Sequence, residues 1–430
     1  MRVHLKTLGC RLNEAELETW AQEFSHAGHH ISPQLSDAQV VVINSCAVTA
    51  DAARKSRQLI RKIHREQPQA KLVVSGCYAT LNQEEAASLL GVDLVVSNQD
   101  KAQLVQKTVA ELNLQTMPAM STEPGENSLF SRGRQRAFVK VQDGCRYRCT
   151  FCIVTVARGE EKSRTILEII NEINVLQQQG IQEVILTGVH LGGYGSDVDS
   201  DLTTLIETIL AQTQIPRLRL GSLEPWDLPA DFFELFANPR LLPHLHLPLQ
   251  SGSDSVLRRM ARRCKTSEFA AIVAQARQQI PYFNVTSDII VGFPGETEQE
   301  WQDSLAFIAS IGFGHLHIFS YSPRAGTRAA TLPEQLSNAV KKQRSQQLHQ
   351  LAQTMKQQFM QSQLGKTVPI LWEGQTQPVD EQRQLVFGYT PNYLRVACCI
   401  DDTQNLENRI LPATLTAVQD EYLTVELHDA

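Results

Sequence analysis

The sequence predicts an α/β protein in three parts: an amino-terminal open α/β sheet domain, a central partial (β/α)6 barrel and a small carboxy-terminal β-barrel. Three observations predict it. Short β-branched runs alternate with helical patterns over the first 118 residues, six more strand-like runs alternate with helices from 136 to about 364, and five short strands separated by turn residues fill 365–430. A length of 430 residues fits roughly three domains. A composition of 42% hydrophobic and 20% charged residues is that of a globular chain able to bury several cores. No apolar run approaches the roughly 18 residues of a membrane span, and Met1 to Cys10 contains no apolar signal core. Nine cysteines, an odd number, argue for metal or redox chemistry in a reducing, cytoplasmic compartment rather than a disulfide framework.

In the first segment, residues 1–118, three apolar runs each end in a cysteine: Val3 to Cys10, Val40 to Cys46 and Leu72 to Cys77. They read as buried parallel strands, with helical patterns over Glu14–Ala27, Ala50–Arg65 and Gln83–Leu90 between and after them. Ligands of open α/β sheets bind at the carboxyl ends of the strands. Cys10, Cys46 and Cys77 all fall at such ends, which favours a three-cysteine metal site over three buried thiols acting as small hydrophobes. Arg54, Arg57, Arg61 and Arg65 share one helical face, readable as a solvated surface or a phosphate-contacting one. The net charge of −6 does not itself suggest nucleic acid, but its distribution leaves room for it. Lys+Arg against Asp+Glu is 12 to 12 over residues 1–118, 24 to 24 over 119–364 and 4 to 10 over 365–430. A linker rich in Pro, Gly and Ser is expected over 119–135, followed or overlapped by Arg132, Arg134 and Arg136.

The second segment opens on a strand near Phe138–Val141 and then Cys145, Cys149 and Cys152, spaced C-x3-C-x2-C. Thiolates are the usual ligands of iron–sulfur clusters, and three of them leave one iron of a four-iron cluster open. Zinc knuckles usually supply a fourth ligand, and no close Cys or His follows here. Phe151 stands immediately before Cys152, where an adenine could stack. Strand-like runs near Val184, Leu218, Leu245, Val285 and Leu316 lead into polar or glycine-rich loops, the position at which barrels carry their sites. Arg258, Arg259, Arg262, Arg263 and Lys265 form a basic helical run, equally readable as a solvated helix or an RNA contact. Cys264, Cys398 and Cys399 lack metal spacing and read as packing residues.

At the C-x3-C-x2-C stretch the chain resembles the radical S-adenosylmethionine enzymes. With Gly9-Cys10-Arg11-Leu12-Asn13, Asn44-Ser45-Cys46-Ala47-Val48-Thr49 and Ser75-Gly76-Cys77-Tyr78-Ala79 added, it resembles the methylthiotransferase family along its whole length. That resemblance implies two [4Fe-4S] clusters, one on each cysteine triad, and S-adenosylmethionine bound at the open iron of the second. It implies cofactor-facing roles for Phe151, Gly188, Ser222, Glu224, Gln250 and Gly292. It also implies a TRAM-like RNA-binding domain at 365–430, with Tyr389, Tyr393 and Arg395 as RNA contacts. Family targets are a hypermodified adenosine at tRNA position 37 or an aspartate of a ribosomal protein. The stretches around Cys10, Ala47-Val48-Thr49 and Gly188 to Gly195 look most like the subgroup acting on N6-threonylcarbamoyladenosine rather than isopentenyladenosine. Arg158 is a candidate for that substrate's carboxylate, with a structural ion pair as the alternative; Arg57 and Arg61 are candidate RNA contacts. Implied partners are tRNA and an electron donor such as flavodoxin or ferredoxin, for a monomer with no membrane attachment. An iron–sulfur RNA-binding or redox-sensing protein without turnover is the non-enzyme alternative.

Overall fold

The computed structural model describes residues 1–112, 114 and 135–428. All but Gln135 of the expected linker, including Arg132 and Arg134, lies outside the described residues. The first domain runs β1 (Arg2–Thr7), α1 (Arg11–His26), β2 (His30–Ile31), β3 (Val40–Ser45), α2 (Ala50–Glu66), β4 (Lys71–Gly76), α3 (Cys77–Leu81), α4 (Gln83–Ser88), β5 (Val92–Val96) and α5 (Leu104–Glu111). Its sheet is parallel throughout, in the order β2-β1-β3-β4-β5. Helices cover both faces, so Val40 to Ile43 are fully buried and the strand reads as an unbroken apolar run. The Thr49 hydroxyl caps α2 by accepting from the Ala52 amide at 3.1 Å. That helix buries Ala53, Ser56, Ile60 and Ile63 and turns Arg54, Arg61 and Arg65 to solvent.

The middle domain runs β6 (Arg136–Lys140), β7 (Gln142–Asp143), α6 (Val154–Arg158), β8 (Lys162–Ser163), α7 (Ile166–Gln178), β9 (Glu183–Thr187), α8 (Leu202–Gln212), β10 (Arg217–Leu220), β11 (His244–His246), α9 (Asp254–Arg259), α10 (Thr266–Gln279), β12 (Asn284–Val291), α11 (Glu298–Ile311), β13 (His315–Ser320) and α12 (Asn338–Gln361). Parallel sheets β10-β9-β6 and β11-β12-β13 are joined by the bridges Leu218–Leu241 and Ser222–His246. The result is a curved six-stranded wall, and among the described residues β6 and β13 do not pair, so the barrel has a seam. Helix α1 of the first domain packs on β6 at that seam. Side chains alternate along each strand. Ala137, Val139, Val184, Leu186, Leu245 and Val285 join the helix-covered core, which leaves Arg136, Phe138, Glu183, Arg219, His246 and Asp288 on the lumen face.

The carboxy-terminal strands β14 (Thr367–Pro378), β15 (Arg383–Tyr389), β16 (Arg395–Asp401), β17 (Ile410–Val418) and β18 (Leu423–Leu427) close a barrel in the order β14-β15-β16-β18-β17. Its Thr390–Asn392 loop meets the amino-terminal ends of the middle strands. Arg217 donates to the Thr390 carbonyl at 3.0 Å, Arg219 to that of Pro391 at 3.1 Å and Asn284 to that of Asn392 at 2.8 Å. Of the cysteines read as packing residues, Cys264 and Cys398 are buried and Cys399 is exposed, because it points out of β16 where Cys398 points in.

Two cysteine triads at the domain junction

Cys145, Cys149 and Cys152 lie on the loop between β7 and α6. The loop closes because Gly144 has φ +74, and a Cβ there would strike the Glu160 carbonyl. Each sulfur has an N–H donor: the Tyr147 amide to Cys145 at 3.4 Å, the Val154 amide to Cys152 at 3.4 Å and the Arg262 guanidinium to Cys149 at 3.9 Å. Burial pushes the Cys145 thiol up to about 11 and the Cys152 thiol up to about 12, so both are protonated at neutral pH until a metal displaces the proton. Donors aimed at all three sulfurs fit a cluster, whose charge and potential such bonds tune.

Around this loop the structure collects several of the residues expected there. Glu224 acts electrostatically on all three thiols and accepts from Arg262 at 2.6 Å. Gly188 permits the close approach of Gln142, whose Oε1 would stand 2.9 Å from a Cβ. Gln250 holds φ +76 beside β12, where its backbone amide donates to the Asp288 carbonyl at 2.8 Å and its carbonyl accepts from the Ile290 amide at 2.9 Å. Gly292 holds φ +73 and donates to Glu296 at 2.9 Å. Ser222 is exposed beside His246. Phe151 is half-buried against a cluster containing Val256, Met260 and Phe293.

The basic run ends its helix at Arg259 and divides: Arg258, Arg263 and Lys265 are exposed, while Arg259 and Arg262 are drawn inward. Arg259 forms a two-point pair with Glu300 at 2.8 Å, Arg263 lies 4.5 Å from the Tyr147 ring centre, and Arg262 is buried against Cys149. Arg262 is therefore a site residue that sequence reasoning missed. Only the fold carries α9 back to the cluster loop. Also missed was His190, which is buried between Glu161 at 2.5 Å and Asp227 at 2.6 Å. Burial alone would push His190 down, but the two carboxylates outweigh it and raise its pKa. Tyr147 donates to the same Asp227 at 2.6 Å, tying the cluster loop to this pair.

Cys10, Cys46 and Cys77 come together where the first sheet meets α6. Gly9 makes room, since a Cβ there would lie 2.8 Å from the Cys46 sulfur. Burial raises the Cys46 thiol to about 11, and the charges of Cys77 and Cys10 add to it. The Asn98 amide donates to the Cys77 sulfur at 3.8 Å and to the Ala157 carbonyl of α6 at 2.8 Å. Arg158, also on α6, is 2% exposed and donates to Glu16 at 2.9 Å, Asn13 at 2.8 Å and Asp143 at 3.1 Å. Its guanidinium is thus held in a buried ion-pair network with Lys101 and Lys140, the structural alternative for this residue. The network pulls Glu16 and Asp143 well below the usual carboxylate range against the opposing effect of their burial. It fastens the residues after Cys10 to the residue two before Cys145, so the triads face one junction.

The remaining candidates lie further out. Arg57 is 3.5 Å from Glu85 and 5.9 Å from the Tyr78 ring centre, and Arg61 is exposed. Tyr389 and Tyr393 stack at 5.2 Å at the foot of the lumen, with Arg136 4.4 Å from the first ring and Arg219 4.4 Å from the second. Those rings are engaged by protein partners at the domain junction. Arg395 lies over Phe387 at 4.1 Å.

Residues 2–97 match the Uncharacterized protein family UPF0004, and residues 139–308 match the Radical SAM superfamily. The threonylcarbamoyladenosine tRNA methylthiotransferase MtaB of Bacillus subtilis is 35% identical over 407 residues, covering 92% of this chain and 89% of that protein. The chain belongs to the radical S-adenosylmethionine methylthiotransferase family. MtaB of Thermotoga maritima is 36% identical over 86% of each chain. The tRNA-2-methylthio-N(6)-dimethylallyladenosine synthase of Ehrlichia chaffeensis is 31% identical over 95% of this chain and 96% of that one. In fold, the methylthiotransferase chain is similar to the radical S-adenosylmethionine methyltransferase TsrM of Kitasatospora setae, with TM-score 0.56 and 14% identity over 76% of this chain and 74% of that one. The family uses S-adenosylmethionine and two four-iron clusters. No helix among the described residues is long and apolar enough to cross a membrane.

Proposed function

We propose that this chain methylthiolates C2 of N6-threonylcarbamoyladenosine at position 37 of tRNA, as a monomer in the cytoplasm reduced by a flavodoxin or ferredoxin. The observation that carries it is the junction itself: α6 leaves Cys152 and its terminal Arg158 bonds the elements that hold Cys10. A cluster held by Cys145, Cys149 and Cys152, with S-adenosylmethionine bound to it, would supply one-electron chemistry, and a second cluster held by Cys10, Cys46 and Cys77 would supply the sulfur to be transferred. The chain does the positioning. Arg262 orients Glu224 and Cys149 together, the Glu16–Arg158–Asp143 network fixes one triad against the other, and α1 shields the barrel seam from water. The subtype rests on the names of relatives at 35% and 36% identity. Nucleoside mass spectrometry of tRNA from a deletion strain, complemented with wild type or with Cys145, Cys149 and Cys152 replaced by Ala, tests it. The 2-methylthio product of threonylcarbamoyladenosine should be lost and return only with wild type, and the purified triple variant should hold about half the iron. Loss of the isopentenyl product instead, or an intact tRNA profile, overturns the substrate; unchanged iron overturns the cluster assignment.

A further inference from the structure

Arg11 follows Cys10 directly and opens α1. Its side chain is half-buried. Its guanidinium donates to the Tyr393 hydroxyl at 3.1 Å and lies 5.8 Å from the centre of the Phe138 ring, which faces the lumen from β6. Its charge also reaches the far walls. Burial pushes His317 of β13 and His244 of β11 down, and Arg11 adds to both shifts.

The other cations on the lumen face have carboxylate partners. Arg217 and Arg219 share Glu183, Arg136 has Glu373, and Lys140 has Glu16 and Asp143. Among the described residues no carboxylate lies within the 4.0 Å of an ion pair from Arg11. The aromatic rings of Phe138 and Tyr393 hold its plane in place without neutralising it. A guanidinium that is preorganised, lacks a carboxylate partner and stands on the residue after Cys10, held between the Tyr393 hydroxyl and the lumen-facing Phe138 ring, is a receptor for a planar anion.

We propose that Arg11 binds the threonyl carboxylate of the substrate nucleoside and so selects it over adenosines whose N6 group is uncharged. The assignment rests on the function proposed above and names the residue that reads its substrate. C2 and the N6-bearing carbon belong to one six-membered ring. With C2 facing the Cys10/Cys46/Cys77 triad, the N6 group therefore lies within reach of the residue next to Cys10. Arg158 does not compete, because Glu16 and Asp143 already occupy it. Arg324 is the other arginine beside this triad without a carboxylate partner among the described residues. Its charge acts on Cys46 and Arg57, on the side of α2.

The test uses the cluster-loaded full chain and three anticodon stem-loop RNAs. They carry threonylcarbamoyladenosine, its threonyl carboxamide, or isopentenyladenosine at position 37. Wild type should bind the carboxylate RNA about 10- to 150-fold more tightly than the carboxamide, the range for a hydrogen bond to a charged group. Arg11→Gln should bind the two alike with its iron content unchanged, and Arg324→Gln should keep the preference. Arg11→Lys, which retains charge without the planar fork, should keep a diminished preference, and it serves if the Gln variant loses iron. An undiminished preference in Arg11→Gln or Arg11→Lys, or its loss in Arg324→Gln, overturns the assignment. Failure of wild type to convert the threonylcarbamoyladenosine RNA, read as product by mass spectrometry, instead overturns the proposed function, whatever Arg11 does.

Discussion

Arg262 shows how one side chain can serve two groups of the proposed cluster site together. It is 3% exposed, stacks 4.3 Å from the Trp226 ring and divides its donors between Cys149 and Glu224. Replacing it with Gln removes the positive charge beside the cluster and leaves Glu224 without its partner. Partners of metal ligands typically contribute a factor of about 10–100 in affinity or activity. Arg262→Gln should lower 5′-deoxyadenosine formation by about that factor and make the cluster's reduction potential more negative, followed by spectroscopic redox titration. An unaltered potential would show that Arg262 only packs. The Glu16 carboxylate works differently. It accepts from Arg158, Lys140 and Lys101 at once, and being buried it is useful only while all three surround it.

Helix α2 is the element whose chemistry is most easily separated from its packing. Its apolar side is committed to Ala53, Ile60 and Ile63, so a charge change at the exposed Arg61 leaves the core intact, while one at Arg57 also gives up its pair with Glu85 beside the Tyr78 ring. Arg57→Glu with Arg61→Glu should weaken tRNA binding and reduce the steepness of log affinity against log salt by roughly 1.4–1.8, two phosphate contacts' worth. Filter binding from low to moderate salt measures both, and unchanged affinity and slope would make the face a solvated surface. The basic run at the end of α9 resembles this face in composition, and Arg258, Arg263 and Lys265 are exposed as it is, but Arg262 departs from it. The helix stops at Arg259, and the chain turns Arg262 inward to the cysteine loop.

At the scale of the whole molecule, the three domains are held by charge at the two ends of one barrel. At the foot of the lumen, burial pushes the Glu183 carboxyl up, but Arg219 and Arg217 outweigh it and hold it at about 2. An unfolded glutamate titrates near 4.3. Between those values the unfolded chain binds the extra proton, so stability from this group is complete above about pH 4.3 and is lost as pH falls towards 2. Melting temperature should therefore fall over that window. Glu183→Gln should lower it at neutral pH and flatten its acid dependence. A melting curve equally steep in acid for the variant would place the sensitivity elsewhere.

Much of this architecture follows from local sequence. Periodicity determined all six barrel strands to within a few residues, the parallel first sheet and the five-stranded end barrel, because alternation and apolar runs report burial directly. The cysteine spacing was enough to single out both triads as candidates, since thiols in a short loop and at matching strand ends need no long-range information to be grouped. What only the tertiary structure decided is who meets whom. Arg158, Tyr389 and Tyr393 carry the same residue types whether they face RNA or protein, and Arg262 reads like any surface arginine. Their surroundings come from segments hundreds of residues apart, as when Tyr393 meets Arg11 and Arg219. A charged side chain's role depends on which opposite charge the fold places beside it, and that pairing leaves no periodic trace in the chain.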